Sequence, residues 1–141
     1  MAPTRSPDGR QRRILAINND AMVLGLFRDL LEDAGYQVTT QTYLDKDLEQ
    51  LAQLAPDLII LDYMWAEEDN GWAYLQLLRM DRRSAAIPIV LCTGAIREVE
   101  ALAAHLEDLG VQVVRKPFNI DRLLDVIAAA LSAEAEPAPE P

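Results

Sequence analysis

The chain has 141 residues, 13 Lys plus Arg, 23 Asp plus Glu and a formal net charge of −10, a size that suits one domain. Half of its residues are hydrophobic and 26% are charged, so the composition is that of a globular protein rather than a disordered one. A single cysteine and a single histidine exclude an internal disulfide and a Cys–His zinc cluster. Since no apolar run is long enough to cross a bilayer and the start has no apolar signal core, we predict a cytoplasmic protein without membrane contact.

The charge is unevenly distributed along the chain. Residues 1–13 carry four arginines and one aspartate, a net of +3, whereas residues 133–141 carry three glutamates, a net of −3. The middle therefore holds the whole −10, which argues against nucleic-acid binding because that requires a basic surface. An acidic middle suits either solubility or a cation site. We expect residues 1–13 to be a flexible arm and the Pro/Glu-rich residues 132–141 to be a disordered tail.

Between the two ends, short apolar runs alternate with segments of helical periodicity. In chain order, the predicted strands cover residues 14–17, 38–43, 57–62, 88–93 and 111–114. The apolar stripes of the predicted helices cover residues 22–31, 48–54, 72–78, 99–106 and 120–131. Continuous apolar strands are buried on both faces, which requires helices on both sides of a parallel sheet. Residues 14–131 are therefore predicted to form one α/β domain, a doubly wound five-stranded parallel sheet with five helices.

Polar residues stand just beyond the apolar runs, where a doubly wound fold binds its ligands. They are Asn18, Asn19, Asp20, Asp62, Thr93 and Lys116. The acid, the hydroxyl and the ammonium group can together hold a phosphoryl group, with Asp62 as the nucleophile and Thr93 and Lys116 on the phosphoryl oxygens. The same three residues also suit a structural role, in which Asp62 and Lys116 form an ion pair and Thr93 caps a helix.

Several stretches in this order, ILAINND, PDLIILDYMW, IPIVLCTG and VVRKPF, carry a family resemblance. Over residues 14–131 the sequence resembles the receiver domain of bacterial response regulators in two-component signalling. The resemblance implies a flavodoxin-like fold and phosphoryl transfer, with Mg²⁺, from a histidine kinase or phosphotransfer protein onto Asp62. It also implies that Thr93 is the switch hydroxyl, that Lys116 pairs with the phosphoryl group, and that Gly94 leaves room for it.

The expected metal site departs from the family pattern. The family usually has two metal-binding acids after the first strand, and the aligned residues here are the uncharged Asn18 and Asn19. A carboxylate ~4 Å from a divalent cation, at an effective dielectric of ~20, gains several kcal/mol before desolvation. We therefore expect a weakened Mg²⁺ site involving Asn19, Asp62 and Met64. Asp20, one place later, either adds a carboxylate to this site or only caps the next helix.

Two further departures concern the expected switch and the loop after Asp62. The family often has an aromatic residue three places before the lysine, and here that residue is Val113. We therefore do not expect the usual coupling between movement of the Thr93 hydroxyl and the rotamer of an aromatic side chain. The loop carries an acidic cluster at residues 67–69, which either approaches a cation or is simply solvated.

Two functional hypotheses follow from these observations, and neither is an enzyme. The first is a stand-alone receiver, phosphorylated on Asp62, that signals to a separate output protein, because only about ten residues follow Leu131. The second is a degenerate receiver that binds protein partners independently of phosphorylation, as the loss of the acidic pair suggests. The family resemblance also implies a possible homodimer. A phosphatase of the haloacid dehalogenase type is disfavoured, because Met64 stands where its second acid is needed and the chain has no room for a cap domain.

Overall fold

The computed structural model describes residues 9–18, 20–43, 48–62, 70–93, 103–108, 110–115 and 119–135. The strands are β1 (Arg13–Ile17), β2 (Gln37–Gln41), β3 (Leu58–Asp62), β4 (Ile89–Thr93) and β5 (Val111–Arg115). The helices are α1 (Ala21–Asp33), α2 (Leu48–Leu54), α3 (Asn70–Met80), α4 (Ala103–Asp108) and α5 (Ile120–Ala135). Strands and helices alternate, as the apolar pattern of the sequence predicts.

The strands form one sheet in the order β2-β1-β3-β4-β5, and every neighbouring pair is parallel. The predicted fold class, a doubly wound parallel sheet, is confirmed. From β1 the chain first adds β2 on one side. It then adds β3, β4 and β5 in turn on the other side. The change of direction lies between β1 and β3, which is the switch point at which ligands bind in such sheets.

Helices cover both faces of the sheet because successive side chains of each strand point to opposite faces. One core cluster joins alternate strand residues to α2, α3 and α4, and it includes Leu15, Ile59, Leu91, Leu51, Leu75 and Leu106. The other joins the intervening strand residues to α1 and α5, and it includes Ile14, Ile60, Val90, Phe27, Leu31 and Ile127. The two clusters explain why the strands read as unbroken apolar runs.

The connection between α3 and β4 is held by Arg79 in the last turn of α3. One terminal nitrogen of its guanidinium donates to the carbonyl oxygens of Ser84 at 3.3 Å, Ala85 at 3.1 Å and Ile87 at 2.6 Å. Burial lowers the pKa of Arg79 from its usual value. These contacts position the start of β4, whose other end lies at the carboxyl edge of the sheet.

Residues just before the predicted domain boundary at residue 14 contact the rest of the domain. Gln11 donates from its side-chain amide to the carbonyl oxygen of Gly35 at 2.8 Å, and Arg12 is only 5% exposed. Both terminal nitrogens of Arg10 donate to the carboxylate of Asp57, each at 3.2 Å. Residues 10–13 therefore contact the domain, although their composition predicts part of a flexible arm.

The last helix extends beyond the predicted end of the domain at residue 131. The side chain of Leu131 is buried in the core, and α5 continues to Ala135. The extension is rich in alanine, the residue with the highest helix propensity, so the backbone continues as a helix after its last core contact. Within the described part of the chain, no helix has both the length and the apolar character needed to cross a membrane.

Candidate functional site

The carboxyl ends of the central strands place the described members of the predicted site, Asn18, Asp62 and Thr93, along one edge of the sheet. Ile17 pairs with Leu61, so Asn18 follows β1 beside Asp62, the last residue of β3. On the other side of β3, Asp62 pairs with Cys92, the residue before Thr93. Because neighbouring strands lie about 4.8 Å apart, these backbone positions are close neighbours.

The last strand completes this edge. Thr93, the final residue of β4, pairs with Arg115, the final residue of β5, and Lys116 follows directly in the sequence. Lys116 itself lies outside the described residues, as do Gly94, Asn19 and Met64. The register therefore supports the predicted grouping of Asp62 and Thr93 by their backbone positions.

Asp62 ends a strand that lies between two others. Leu58, Ile59, Ile60 and Leu61 precede it, and each is at most 1% exposed. A fully buried strand paired on both sides holds its end in a defined position, which a site for group transfer requires. Asp62 also stands at the switch point between β1 and β3, where the fold places its ligand site.

Asn18 is a buried polar residue at the same edge, with a relative exposure of 4%. Its backbone N–H donates to the carbonyl oxygen of Gln41 at 3.1 Å, which ties the end of β1 to the end of β2. Its side-chain Oδ1 accepts the backbone N–H of Asp20 at 2.8 Å. The second bond closes an Asx turn that is not among the features predicted from the sequence. An Asn two places before a cap residue is the local signal that indicates such a turn.

Asp20 is the N-cap of α1. Its Oδ1 accepts the backbone N–H of Met22 at 2.9 Å and that of Val23 at 3.4 Å. Its own backbone is extended, with φ −106° and ψ 109°, as is usual for a capping residue. Of the two roles considered for Asp20, the structure shows the capping role.

The oxygen donors at this edge are of the chemical kind that binds a hard cation, but they provide little negative charge. Mg²⁺ prefers carboxylate and carbonyl oxygens. Asp62 supplies one carboxylate, whereas Asn18 is neutral and its Oδ1 already accepts a hydrogen bond. In the part of the chain that the structure describes, no group of three or more His, Cys, Asp or Glu is placed to hold a metal ion. The chemical kind of these donors suits Mg²⁺, and Asn18 adds no charge to them.

Val113 lies in β5, three residues before Lys116. Its side chain is partly buried and packs against the core cluster on the α2, α3 and α4 side of the sheet. A valine has no ring that could change between an inward and an outward orientation. The aliphatic residue at this position is therefore part of the core packing.

Taken together, these features define the class of the protein: a doubly wound α/β domain with an acid at the end of its central strand. The family of the response regulator receiver domain matches residues 14–128. The chain belongs to this family, and the resemblance inferred from its motifs is confirmed. Receiver domains are signalling modules of two-component systems that interact with histidine kinases or phosphotransfer proteins and with output domains. They generally bind Mg²⁺ at an acidic pocket.

Among curated proteins, the chain is similar to longer transcriptional regulators. It is 34% identical over 119 residues to the DNA-binding dual master transcriptional regulator RpaA of Synechocystis, covering 84% of this chain and 48% of the relative. It is 31% identical over 120 residues to the phosphate regulon transcriptional regulatory protein PhoB of Klebsiella pneumoniae, covering 85% of this chain and 52% of the relative. The chain thus spans about half the length of these two relatives.

Solved structures show the same fold. A sensor protein from Polaromonas sp. JS666 has a TM-score of 0.75 and 25% identity, with 86% of this chain and 97% of that chain covered. The chemotaxis response regulator CheY4 of Vibrio cholerae has a TM-score of 0.70 and 24% identity, with 84% of this chain and 98% of that chain covered. The second likeness concerns the fold alone.

Proposed function

We propose that this chain is a receiver that accepts a phosphoryl group on Asp62 and signals by changing its affinity for an output partner. The observation that carries the proposal is the position of Asp62. It ends the buried strand β3 at the switch point of the sheet and is in register with the residue before Thr93. A histidine kinase or a phosphotransfer protein would supply the phosphoryl group.

In the proposed reaction, a carboxylate oxygen of Asp62 attacks the phosphorus atom of the donor. A P–O bond to Asp62 forms while the P–N bond of a phosphohistidine, or the P–O bond of acetyl phosphate, breaks, and the donor leaves with that electron pair. The hydroxyl of Thr93 and the ammonium group of Lys116 would hold the phosphoryl oxygens, and Gly94 would leave room for them. Asn19, Asp62 and Met64 would hold Mg²⁺ weakly, and the ion would offset the negative charge of the phosphoryl oxygens.

The test is phosphorylation of the purified protein by acetyl phosphate over a wide range of Mg²⁺ concentrations. We expect intact-mass spectrometry to show the gain of one phosphoryl group in the wild type and complete loss of that gain in Asp62→Asn, which keeps the size of the side chain but not the nucleophilic carboxylate. Asp33→Asn, an exposed change at the end of α1, is the matched control and should be labelled like the wild type. Failure to label the wild type at every Mg²⁺ concentration, or equal labelling of Asp62→Asn, would contradict the proposal.

The second candidate is a degenerate receiver that binds its partner without phosphorylation. The uncharged, hydrogen-bonded Asn18 favours it, because the pocket then lacks a charge that would attract the metal. In that case we expect the Asp62→Ala variant to bind its protein partner with wild-type affinity, and acetyl phosphate to have no effect on that binding.

Sedimentation velocity with and without acetyl phosphate tests the homodimer that the family resemblance implies.

A further inference from the structure

The turn between β1 and α1 is held by hydrogen bonds within the chain itself. Asn18 connects to β2 through the carbonyl oxygen of Gln41 and connects forward to the N–H of Asp20 through its own Oδ1. Asp20 in turn caps α1 through the N–H of Met22. Three consecutive contacts thus join the end of β1, the end of β2 and the start of α1, and Asn18, which makes two of them, follows β1 beside Asp62.

We propose that Asn18 is a positioning residue that holds this turn without a divalent cation, rather than a ligand for one. A carboxylate in its place would also accept the N–H of Asp20, but it would add a buried negative charge one strand away from Asp62. Like charges at such a distance oppose ionisation unless a cation neutralises them. The carboxamide makes the same hydrogen bond without charge, so the turn needs no metal to form.

The inference deepens the proposed function and rests on it, because the turn adjoins Asp62, the proposed phosphoacceptor. It predicts that the order of the turn is the same with and without Mg²⁺. The backbone N–H of Asp20 reports this directly, because Asn18 Oδ1 is its acceptor at 2.8 Å. Its exchange rate with water can be measured by NMR on the unphosphorylated wild-type protein.

We expect the wild-type Asp20 amide to exchange at the same rate in EDTA and in excess Mg²⁺. Asn18→Ala removes the acceptor, and we expect exchange to be faster by about fivefold in both conditions, as loss of one hydrogen bond predicts. Asn18→Asp keeps the acceptor and adds a charge, so its Asp20 amide should be slow in excess Mg²⁺ and faster in EDTA. If Mg²⁺ slows exchange of the Asp20 amide in Asn18→Asp but not in Asn18→Ala, residue 18 acts by positioning the turn and not through a general effect on stability.

Two results would overturn the inference. One is a wild-type Asp20 amide that becomes protected only when Mg²⁺ is added, and this measurement needs no variant to fold. The other is a folded Asn18→Ala protein whose Asp20 amide exchanges at the wild-type rate. Neither measurement depends on phosphorylation, so the labelling of Asp62 tests the proposed function separately.

Discussion

Replacing Asp57 by alanine is expected to lower the free energy of unfolding by about 3 kcal/mol, because the change leaves a buried positive charge without its partner. Asp57 lies just before β3, at the opposite end of that strand from Asp62. Its carboxylate accepts hydrogen bonds from both terminal nitrogens of Arg10, each at 3.2 Å, and from the backbone N–H of Arg13 at 2.8 Å. A terminal nitrogen of Arg12 lies 3.7 Å away.

Burial explains why the loss of one carboxylate should cost this much. The side chains of Asp57 and Arg12 are only 12% and 6% exposed. The buried Nε atom of Arg12 has no hydrogen-bond partner within the described residues, and among those residues Asp57 is an acidic partner of this guanidinium. Arg12 also acts on Tyr36: burial raises the pKa of Tyr36, and the positive charge of Arg12 partly opposes that rise.

Urea denaturation of matched variants measures the effect. Asp57→Asn keeps the size of the side chain and an acceptor for the Arg13 N–H but removes the charge, so we expect an intermediate loss of stability. Arg10→Ala is the control for the outer ion pair, because Arg10 is 39% exposed, and we expect a cost of less than about 1 kcal/mol. A cost for Asp57→Ala below about 0.5 kcal/mol, or one equal to that of Arg10→Ala, would contradict this account.

The double change Asn18→Asp with Asn19→Asp is expected to raise the affinity for Mg²⁺ at least about tenfold, or ~1.4 kcal/mol. Each substitution replaces a neutral amide oxygen by a carboxylate at the position where the family usually carries its acidic pair. The attraction between a carboxylate and a divalent cation exceeds that of an amide by several kcal/mol before desolvation, so a gain of this size should remain after desolvation.

Isothermal titration with Mg²⁺ measures this change directly. The matched control is Gln37→Glu with Gln53→Glu, which adds the same net charge at exposed positions on β2 and α2. We expect little change in Mg²⁺ affinity for the control, because exposed charges away from the site are screened by salt. Unchanged affinity in the asparagine double variant would mean that Asp20 or the loop acids at 67–69 already supply the charge.

Local sequence pattern was sufficient to predict the architecture, and it singles out Asp62 as the central residue of the candidate site. The apolar runs, such as the one from Leu58 to Leu61, indicate strands buried on both faces, and only a sheet between two helical layers buries them in this way. Asp62 stands out because a charged residue directly follows such a run. The cap at Asp20 was also predictable, because it depends on hydrogen bonds to residues only two and three places along the chain.

Contacts between distant segments were decided by the tertiary structure alone. The composition of residues 1–13 predicts a flexible arm, yet Arg10 pairs with Asp57, which is 47 residues away. The role of Asn18 likewise depends on Gln41 at the end of the neighbouring strand β2. Local periodicity reports which face of an element is apolar, but the pairing of charges and buried amides depends on which strands are adjacent and in which register. The order β2-β1-β3 set that adjacency, and with it the neighbours of Asp57 and Asp62.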